Sequence, residues 1–367
     1  MTNNRTQNTA IAFSDEQAMI LESAKGFCRD RSDITAVRSL LNSDNGYSGD
    51  IWAEMVALGW TGIAIPEQYG GSELGIGSTV PLVESMGRHL LSTPYISTTL
   101  ASQALLRGGS EQHKAHWLPL VAEGSIGTMA LLDSEDWGAT STSCNLSADL
   151  ELQGTKLLVN DAAVADFFIV SANHQGAQVL VLVTADQLSS EALSKKVLID
   201  ETKRACSVNF SGVKLRADAI LPNSEAALRD SKLIGALLTA AEATGSTAAA
   251  LDVVVAYLTS RIQFGRLIGS YQSLKHPTVE MLIGMDSARS FIYHAATVVG
   301  DEHLDQDAEI ACRMAKAQAT DALLFAGDRG IQFHGGMGFT YECDAQLYLR
   351  RALWVQHQYG DAQHHRL

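Results

Sequence analysis

Apolar residues along the chain change their spacing twice, and the two changes divide it into three regions. Up to about Gly124 the period is helical. In "FSDEQAMILESAKGF" the apolar positions Ile20, Leu21, Ala24 and Phe27 recur every three or four residues, as on one face of a helix. Ser14 and Gln17 stand at capping-box spacing ahead of that face, with Phe13 placed to staple it. "GDIWAEMVALGW" predicts a second helix, closed by Gly59. "IPEQYGG" (Ile65–Gly71) predicts a loop, and "TVPLVESMGRHLL" and "STTLASQALLRGG" two further helices.

Between about Ser125 and Pro222 the texture changes. "ADFFIVSA", "QVLVLVT" and "CSVNFSGVKL" are short β-branched or aromatic runs parted by polar residues and glycine, which predicts a small, mostly antiparallel sheet or barrel. "GTKLLVNDAAVADFFIV" reads as strand, turn, strand. From about Asn223 the helical period returns and holds to the end. Between Leu233 and Ser260 only Glu242 and Asp252 are charged, which predicts a helix buried among others. "SYQSLKHPTVEMLIGMDSARSFIYHAATVVG" and "DAEIACRMAKAQATDALLFAGDRGIQFHGG" supply two more long helices. The expected fold class is α+β and mainly α. It comprises an N-terminal helical domain (1–124), a small middle β-domain (125–222) and a C-terminal four-helix-type bundle (223–367).

Composition narrows the function classes. With 367 residues, 46% hydrophobic and 19% charged, the chain is globular and long enough for more than one core. A formal charge of −14 without any basic cluster argues against nucleic acid as a partner. The five cysteines (Cys28, Cys144, Cys206, Cys312, Cys343) are scattered without CxxC spacing, which speaks against a disulfide framework or zinc and for a reduced, cytoplasmic setting. "MTNNRTQNTA" lacks the apolar core of a signal peptide. The most apolar stretch, Ala248–Leu258, is short and broken by Asp252, so no membrane span is expected. His364–His365 reads as an exposed terminus, not a metal site.

"QFHGG" (Gln332–Gly336) interrupts the last long helical pattern with two glycines, each costing about 1 kcal/mol inside a helix. They mark either a plain turn or a place where a large group, such as a cofactor phosphate, approaches the backbone. Three other stretches bear on the choice: "WAEMVALGWTGIAIPEQYGG" (Trp52–Gly71), "VESMGRHLLSTP" (Val83–Pro94) and "SRIQFGRLIGSYQSLKH" (Ser260–His276). Together with "IQFHGGMGFT" (Ile331–Thr340), in this order around a β-rich middle, they resemble the acyl-CoA dehydrogenase family over nearly the whole chain.

The resemblance implies FAD and an acyl-CoA thioester, from which a carboxylate removes the α-proton while the flavin accepts a hydride from the β-carbon. It implies that Arg261, Phe264, Gln272, Gln332, Gly335 and Gly336 hold the adenosine and pyrophosphate part of FAD across a subunit boundary. It further implies an electron-transfer flavoprotein or similar acceptor, and a tetramer. The physics of such a site agrees, since a guanidinium can grip phosphate in a bidentate way and glycines let backbone N–H groups reach it.

The base is harder to place. The family's usual glutamate follows a tyrosine near the C-terminus, but here Tyr359 is followed by Gly360 and Asp361. A family variant carries the glutamate on the long buried helix, at a position that falls on Gly235. Glu242 lies seven residues, about two turns, further on the same side. Among alanines, its carboxyl is expected to have a raised pKa. Glu242 is therefore the first candidate base and Asp361 the second, with a structural glutamate paired to an arginine as the bland alternative for Glu242. Glu342 reads as a solvated turn residue.

The segment that cradles a chain's own flavin ring in this family departs most, reading "LLDSEDWGATSTS" (Leu131–Ser143), and Leu158 replaces a tryptophan that flanks the ring. Elements serving a neighbour's FAD look intact, while those for the chain's own ring look eroded. Two enzyme readings follow: a homotetramer with a pocket remodelled for a bulky, steroid side-chain-like acyl group, or one subunit of an α2β2 heterotetramer with a related chain. A flavin-free, catalytically inactive paralogue is a third.

Overall fold

The computed structural model describes residues 15–139 and 142–367. Phe13, Ser14 and the side chain of Gln17, expected to cap and staple the first helix, lie outside the described residues. The first unit consists of α1 (Asp15–Arg31), α2 (Ile34–Leu40), α3 (Gly49–Ala57), α4 (Val80–Arg88), α5 (Tyr95–Gly108) and α6 (Glu111–Ala122). Local chemistry sets several of these limits. Ser48 caps α3 by accepting from the Ile51 N–H, and Gly59 leaves it in the left-handed region at φ 73°. Ser110 and His113 cap α6 reciprocally, with a histidine where a glutamate or glutamine is usual.

The middle unit contains β1 (Gly127–Ala130), β2 (Asn145–Leu146), β3 (Leu152–Gln153), β4 (Thr155–Asn160), β5 (Phe167–His174), β6 (Ala177–Thr184), β7 (Leu193–Lys195) and β8 (Ala205–Asn209). One sheet runs β1-β5-β2-β3 with β6 also on β5, and a three-stranded sheet runs β4-β8-β7. Most pairs are antiparallel, but β5 is parallel to both β1 and β2. The run read as strand, turn, strand does form β4 and β5, yet the two belong to different sheets. The turn between them carries the chain from one sheet to the other, so Asn160 and Asp161 end up at the seam.

The last unit holds α7 (Ser224–Ser260), a short hairpin of β9 (Ile262–Gln263) and β10 (Arg266–Leu267), α8 (Gln272–Val298), α9 (Gln306–His334), α10 (Ala345–Val355) and α11 (Ala362–Arg366). Helix α7 packs against α4, α5, α8, α9 and α10, which explains why it can be apolar almost all round. It starts at Ser224, ahead of the apolar run at Leu233, because polar Asp230 and Ser231 are buried there too. None of the described helices is long and apolar enough to cross a membrane.

Two buried cations hold the C-terminal helices in place, one within the last unit and the other against the middle unit. Lys316 on α9 is fully buried and donates to the carbonyls of Val355, Gln356 and Gly360 at 3.0, 3.2 and 2.9 Å, fastening the C-terminal segment. Arg351 on α10 is also fully buried. Its guanidinium donates to Asp200 and to Thr202 Oγ1 (2.7 Å) in the middle unit, and to Glu242 Oε1 (2.9 Å) on α7. Removing Arg351 takes from Asp200 its ion-pair partner and leaves Glu242 with Lys203 alone. Arg351→Met is therefore expected to lower unfolding stability by about 3–5 kcal/mol, read as a shift of the denaturant midpoint. Arg351→Lys should recover only part of it, because a point charge cannot span three acceptors in a planar fork. An unchanged midpoint in Arg351→Met would remove the cluster from the list of what holds the units together.

Candidate functional site

Two chain ends build the first site. Helix α7 stops at Ser260, and Arg261 begins a tight hairpin whose two turn residues, Phe264 and Gly265, have φ of 54° and 79°. A positive φ on a phenylalanine is sterically costly, by roughly 1–3 kcal/mol, and the turn leaves its ring 90% exposed. Helix α9 ends at His334, where Gly335 takes φ 61°. A Cβ on Gly335 or Gly336 would meet nothing within 4 Å, so local packing does not demand the second glycine.

These ends meet around a pocket of about 620 Å³ lined by Arg261, Phe264, Gln332, Gly335 and Gly336, together with Tyr257 and His334. The His334 ring stacks on Tyr257 (centroids 4.2 Å apart), and its Nδ1 lies 2.7 Å from the Gly330 carbonyl. Gln272 does not line the pocket. It is exposed in the first turn of α8, next to Tyr271, which does. The Arg261 guanidinium has no hydrogen-bond or ion-pair partner among the described residues, so its charge is free for an anion. An unpaired guanidinium, aromatic faces and open glycine backbone fit the adenosine and pyrophosphate of FAD.

The second site is the region read as eroded. Lys156 on β4 is fully buried and bonded to Asp133 (2.9 Å), Thr142 (2.8 Å) and Ser171 (2.9 Å), which pins Asp133 and Thr142 to the sheet. Trp137 from that loop lies against Tyr359, with ring centroids 4.5 Å apart. The Tyr359 ring in turn fills the notch at Gly235, where a Cβ would come within 2.6 Å of it. Trp137 and Tyr359 therefore form one packed unit on α7. The sequence offered no role for "SEDW", because nothing in a loop tryptophan announces a partner 222 positions away.

On either side of this pair lies a cavity. One, of about 310 Å³, is lined by Leu132, Asp133, Ser134 and Trp137 of the loop and by Leu228 and Lys232 of α7. Burial pulls the Lys232 ammonium below its usual pKa, and it has no ion-pair partner among the described residues. The other is a chamber of about 40 Å³ between α5, the Asn160–Asp161 turn, α7 and the C-terminal segment.

The carboxylates do not behave as the sequence suggested. Burial alone would raise the Glu242 pKa, but Arg351 and Lys203 more than offset it, so the carboxyl sits below its ordinary value. The expected raised pKa is thus corrected: Glu242 is an ion-paired partner inside the Arg351 cluster. Asp361 is exposed and caps α11, accepting from the His364 N–H at 2.8 Å, and this backbone bond chiefly holds its pKa down. Glu342 is exposed. The carboxyl with the raised pKa is Asp161, which sequence reasoning missed. It follows β4 at φ 54° and accepts from Ser97 Oγ at 2.6 Å. Burial pushes it up to about 6, against the pull of Ser97, Lys203 and Arg204.

A carboxyl whose pKa is raised on folding favours the folded state while protonated, and that contribution is lost as pH rises through about 6. Asp161→Asn keeps the shape and tolerates the left-handed backbone. Its melting temperature should exceed that of the parent at pH 7–8, and the gain should vanish near the ordinary aspartate pKa of about 4. Parallel melting curves of the two proteins across this range would refute the shift.

Comparison with known proteins follows the same architecture. The acyl-CoA dehydrogenase N-terminal domain matches residues 14–125, and the acyl-CoA dehydrogenase C-terminal domain matches residues 233–367. Acyl-CoA dehydrogenase IpdE2 of Mycolicibacterium smegmatis is 27% identical, with 93% of each chain covered. Acyl-CoA dehydrogenase FadE12 of Mycobacterium tuberculosis is 28% identical, over 81% of this chain and 80% of that one. Among solved structures, the ChsE4-ChsE5 complex from Mycobacterium tuberculosis shares the fold at a TM-score of 0.86 and 21% identity, covering 97% of this chain and 96% of that one. A variant of the Tcur3481-Tcur3483 steroid ACAD matches at a TM-score of 0.82 and 25% identity over 95% of each chain. With both helical units matched in order around a shared β-unit, the chain belongs to the acyl-CoA dehydrogenase family of FAD-dependent oxidoreductases.

Proposed function

We propose that this chain takes part in α,β-dehydrogenation of a bulky, steroid-type acyl-CoA as one of two unlike subunits of a cytoplasmic α2β2 assembly. Its own contribution is the dinucleotide end of the FAD site of the neighbouring chain. One contrast carries the reading. The Arg261–Gln332 pocket is open, about 620 Å³, and offers an unpaired cation. Where the family's ring-binding loop lies, Trp137 and Tyr359 instead close on Gly235, leaving a cavity of about 310 Å³ on the loop's side and a chamber of about 40 Å³ beyond the tyrosine. Ordinary small-molecule sites occupy roughly 300–1,000 Å³. The Tcur3481-Tcur3483 steroid ACAD and the ChsE4-ChsE5 complex are each named as pairs of chains, which supports the heteromeric form and the substrate class.

In this reading FAD, when bound, supplies the hydride acceptor. Arg261 grips its phosphates, Gly335 and Gly336 let them approach the backbone, and Phe264 and Gln332 close the adenosine end, with Gln272 at the rim. The α-proton goes to a carboxylate of the neighbouring chain, because Glu242 is ion-paired and Asp361 is a solvated helix cap. Reducing equivalents leave to an electron-transfer flavoprotein or similar acceptor. The 310 Å³ cavity with Lys232 favours a second reading, a homotetramer whose own pocket has been remodelled.

Light scattering with flavin quantification separates the two. FAD appearing only with a co-purifying partner, at half occupancy, supports the heterotetramer. One FAD per chain in a pure homotetramer rejects it. In the assembled enzyme Arg261→Ala is expected to release FAD, since a charge and a bidentate geometry disappear together. Full FAD content in that variant would undo the assignment of the pocket. Glu242→Gln and Asp361→Asn should leave substrate-driven flavin reduction within severalfold of the parent. A fall by orders of magnitude with FAD retained, in either one, would return the base to this chain.

A further inference from the structure

His334 is the last residue of α9, directly before Gly335 and Gly336, and its half-buried ring is held from two sides. One face stacks on Tyr257, with the two planes 26° apart, and the Nδ1 edge lies 2.7 Å from the Gly330 carbonyl one turn earlier. A carbonyl oxygen can only accept, so Nδ1 carries the proton, and Nε2 of the neutral ring is left as an acceptor. Nε2 has no hydrogen-bond partner among the described residues, and it is not sealed from solvent. His334 and Tyr257 both line the pocket of about 620 Å³. Tyr257 stands one turn before Arg261, whose backbone N–H donates to the Tyr257 carbonyl at 2.9 Å. A lysine or an arginine could serve the last carbonyls of the helix equally well. Neither would leave a fixed, open acceptor beside the glycines.

We propose that His334 determines ligand specificity in this pocket: Nε2 accepts a hydrogen bond from a hydroxyl of the adenosine ribose of FAD. The proposal rests on the reading of this pocket as the dinucleotide end of an FAD site. Position selects the group. The glycines next to His334 let the phosphates approach, and the ribose is joined directly to a phosphate, whereas the adenine lies beyond it. Chemistry selects the same group. A phosphate oxygen has no proton to give to a bare Nε2, so meeting it would require a second cation beside the Arg261 guanidinium. A ribose hydroxyl donates without any change in the charge of the ring. The stack on Tyr257 and the bond to Gly330 already fix the imidazole, so little side-chain freedom remains to be lost on binding.

The test is the affinity of the assembled protein, stripped of its flavin, for FAD and for analogues lacking the 2′- or the 3′-hydroxyl of the adenosine ribose, each titrated by flavin fluorescence. The parent should prefer FAD over one of the analogues by about two- to tenfold, the worth of one net hydrogen bond. In His334→Phe, which keeps a ring against Tyr257, that preference should disappear. His334→Asn can still donate to the Gly330 carbonyl but ends short of the Nε2 position, and it should lose the preference too. A residue that only shaped the helix end would weaken every flavin alike and leave the ratio intact. Equal affinities in the parent would overturn the proposal, as would a preference that either folded variant retains. So would an FAD affinity that climbs with acidity only while His334 is present, because that marks an Nε2–H on a phosphate. Arg261→Ala separates this contact from the pocket itself, since it should weaken every flavin by one factor with the ratio kept. If Arg261→Ala weakens none of them, the pocket is not the FAD site and the functional reading falls. If it weakens all of them while the His334 variants keep the parent's ratio, only the His334 contact falls.

Discussion

The Arg351 guanidinium is the contact on which the rest of the molecule hangs. It lies on α10, near the end of the chain, yet its partners are Asp200 and Thr202 of the middle unit and Glu242 of the central helix. Burying these charges costs several kcal/mol per ion before any attraction is counted, so the cluster is a poor source of net stability. What it gives is position. A planar fork satisfied at three points fixes the 200–204 loop against α7. Lys203, held to Glu242, and Arg204, bonded to the carbonyls of Leu40, Leu41 and Ser43, then carry the same register to the first unit. The Asp161 chamber exists where these three surfaces are held together.

Charge is handled oppositely at the two candidate sites. Around the 131–139 loop and the Arg351 cluster the ions are mostly used up internally: Lys156 by Asp133, Glu242 by Arg351 and Lys203. At the other end, Arg261 and the exposed Phe264 ring are presented outward by a hairpin with a sterically costly turn. Paired, buried charges make a closed interior. An unpaired guanidinium beside open glycine backbone makes a surface suited to an anionic ligand.

Much of the fold was legible because period survives tertiary context. The long buried helix, the β-rich middle and the terminal bundle each announced themselves through spacing, and the paired motifs pointed to FAD. What could not be read depends on contacts across the sequence. The Glu242 pKa is set by Arg351, 109 residues later, and an alanine-rich neighbourhood gives no hint of that. Asp161 looks like an ordinary turn residue in "VND", and only the folded seam desolvates it. The strands β4 and β5 were identifiable, but their separation into two sheets is decided by β8 and β1, which no local pattern names.

Gly235 and Tyr359 link two departures from the family that look separate in the sequence. One is the missing carboxylate on the central helix, and the other is the missing glutamate after the C-terminal tyrosine. In the structure they are one packing event. A Cβ at position 235 would stand 2.6 Å from the Tyr359 ring, well inside contact distance, and Lys316 fastens the Gly360 carbonyl directly behind that ring. A glutamate on the helix and the tyrosine in its present place exclude each other. The backbone that follows the tyrosine is turned to cap α11 instead of facing the helix. With the ring in the glycine notch and Trp137 tilted against it, position 235 has no room for a glutamate side chain. In the reading proposed above, proton removal is left to a group outside this pair, on the neighbouring chain.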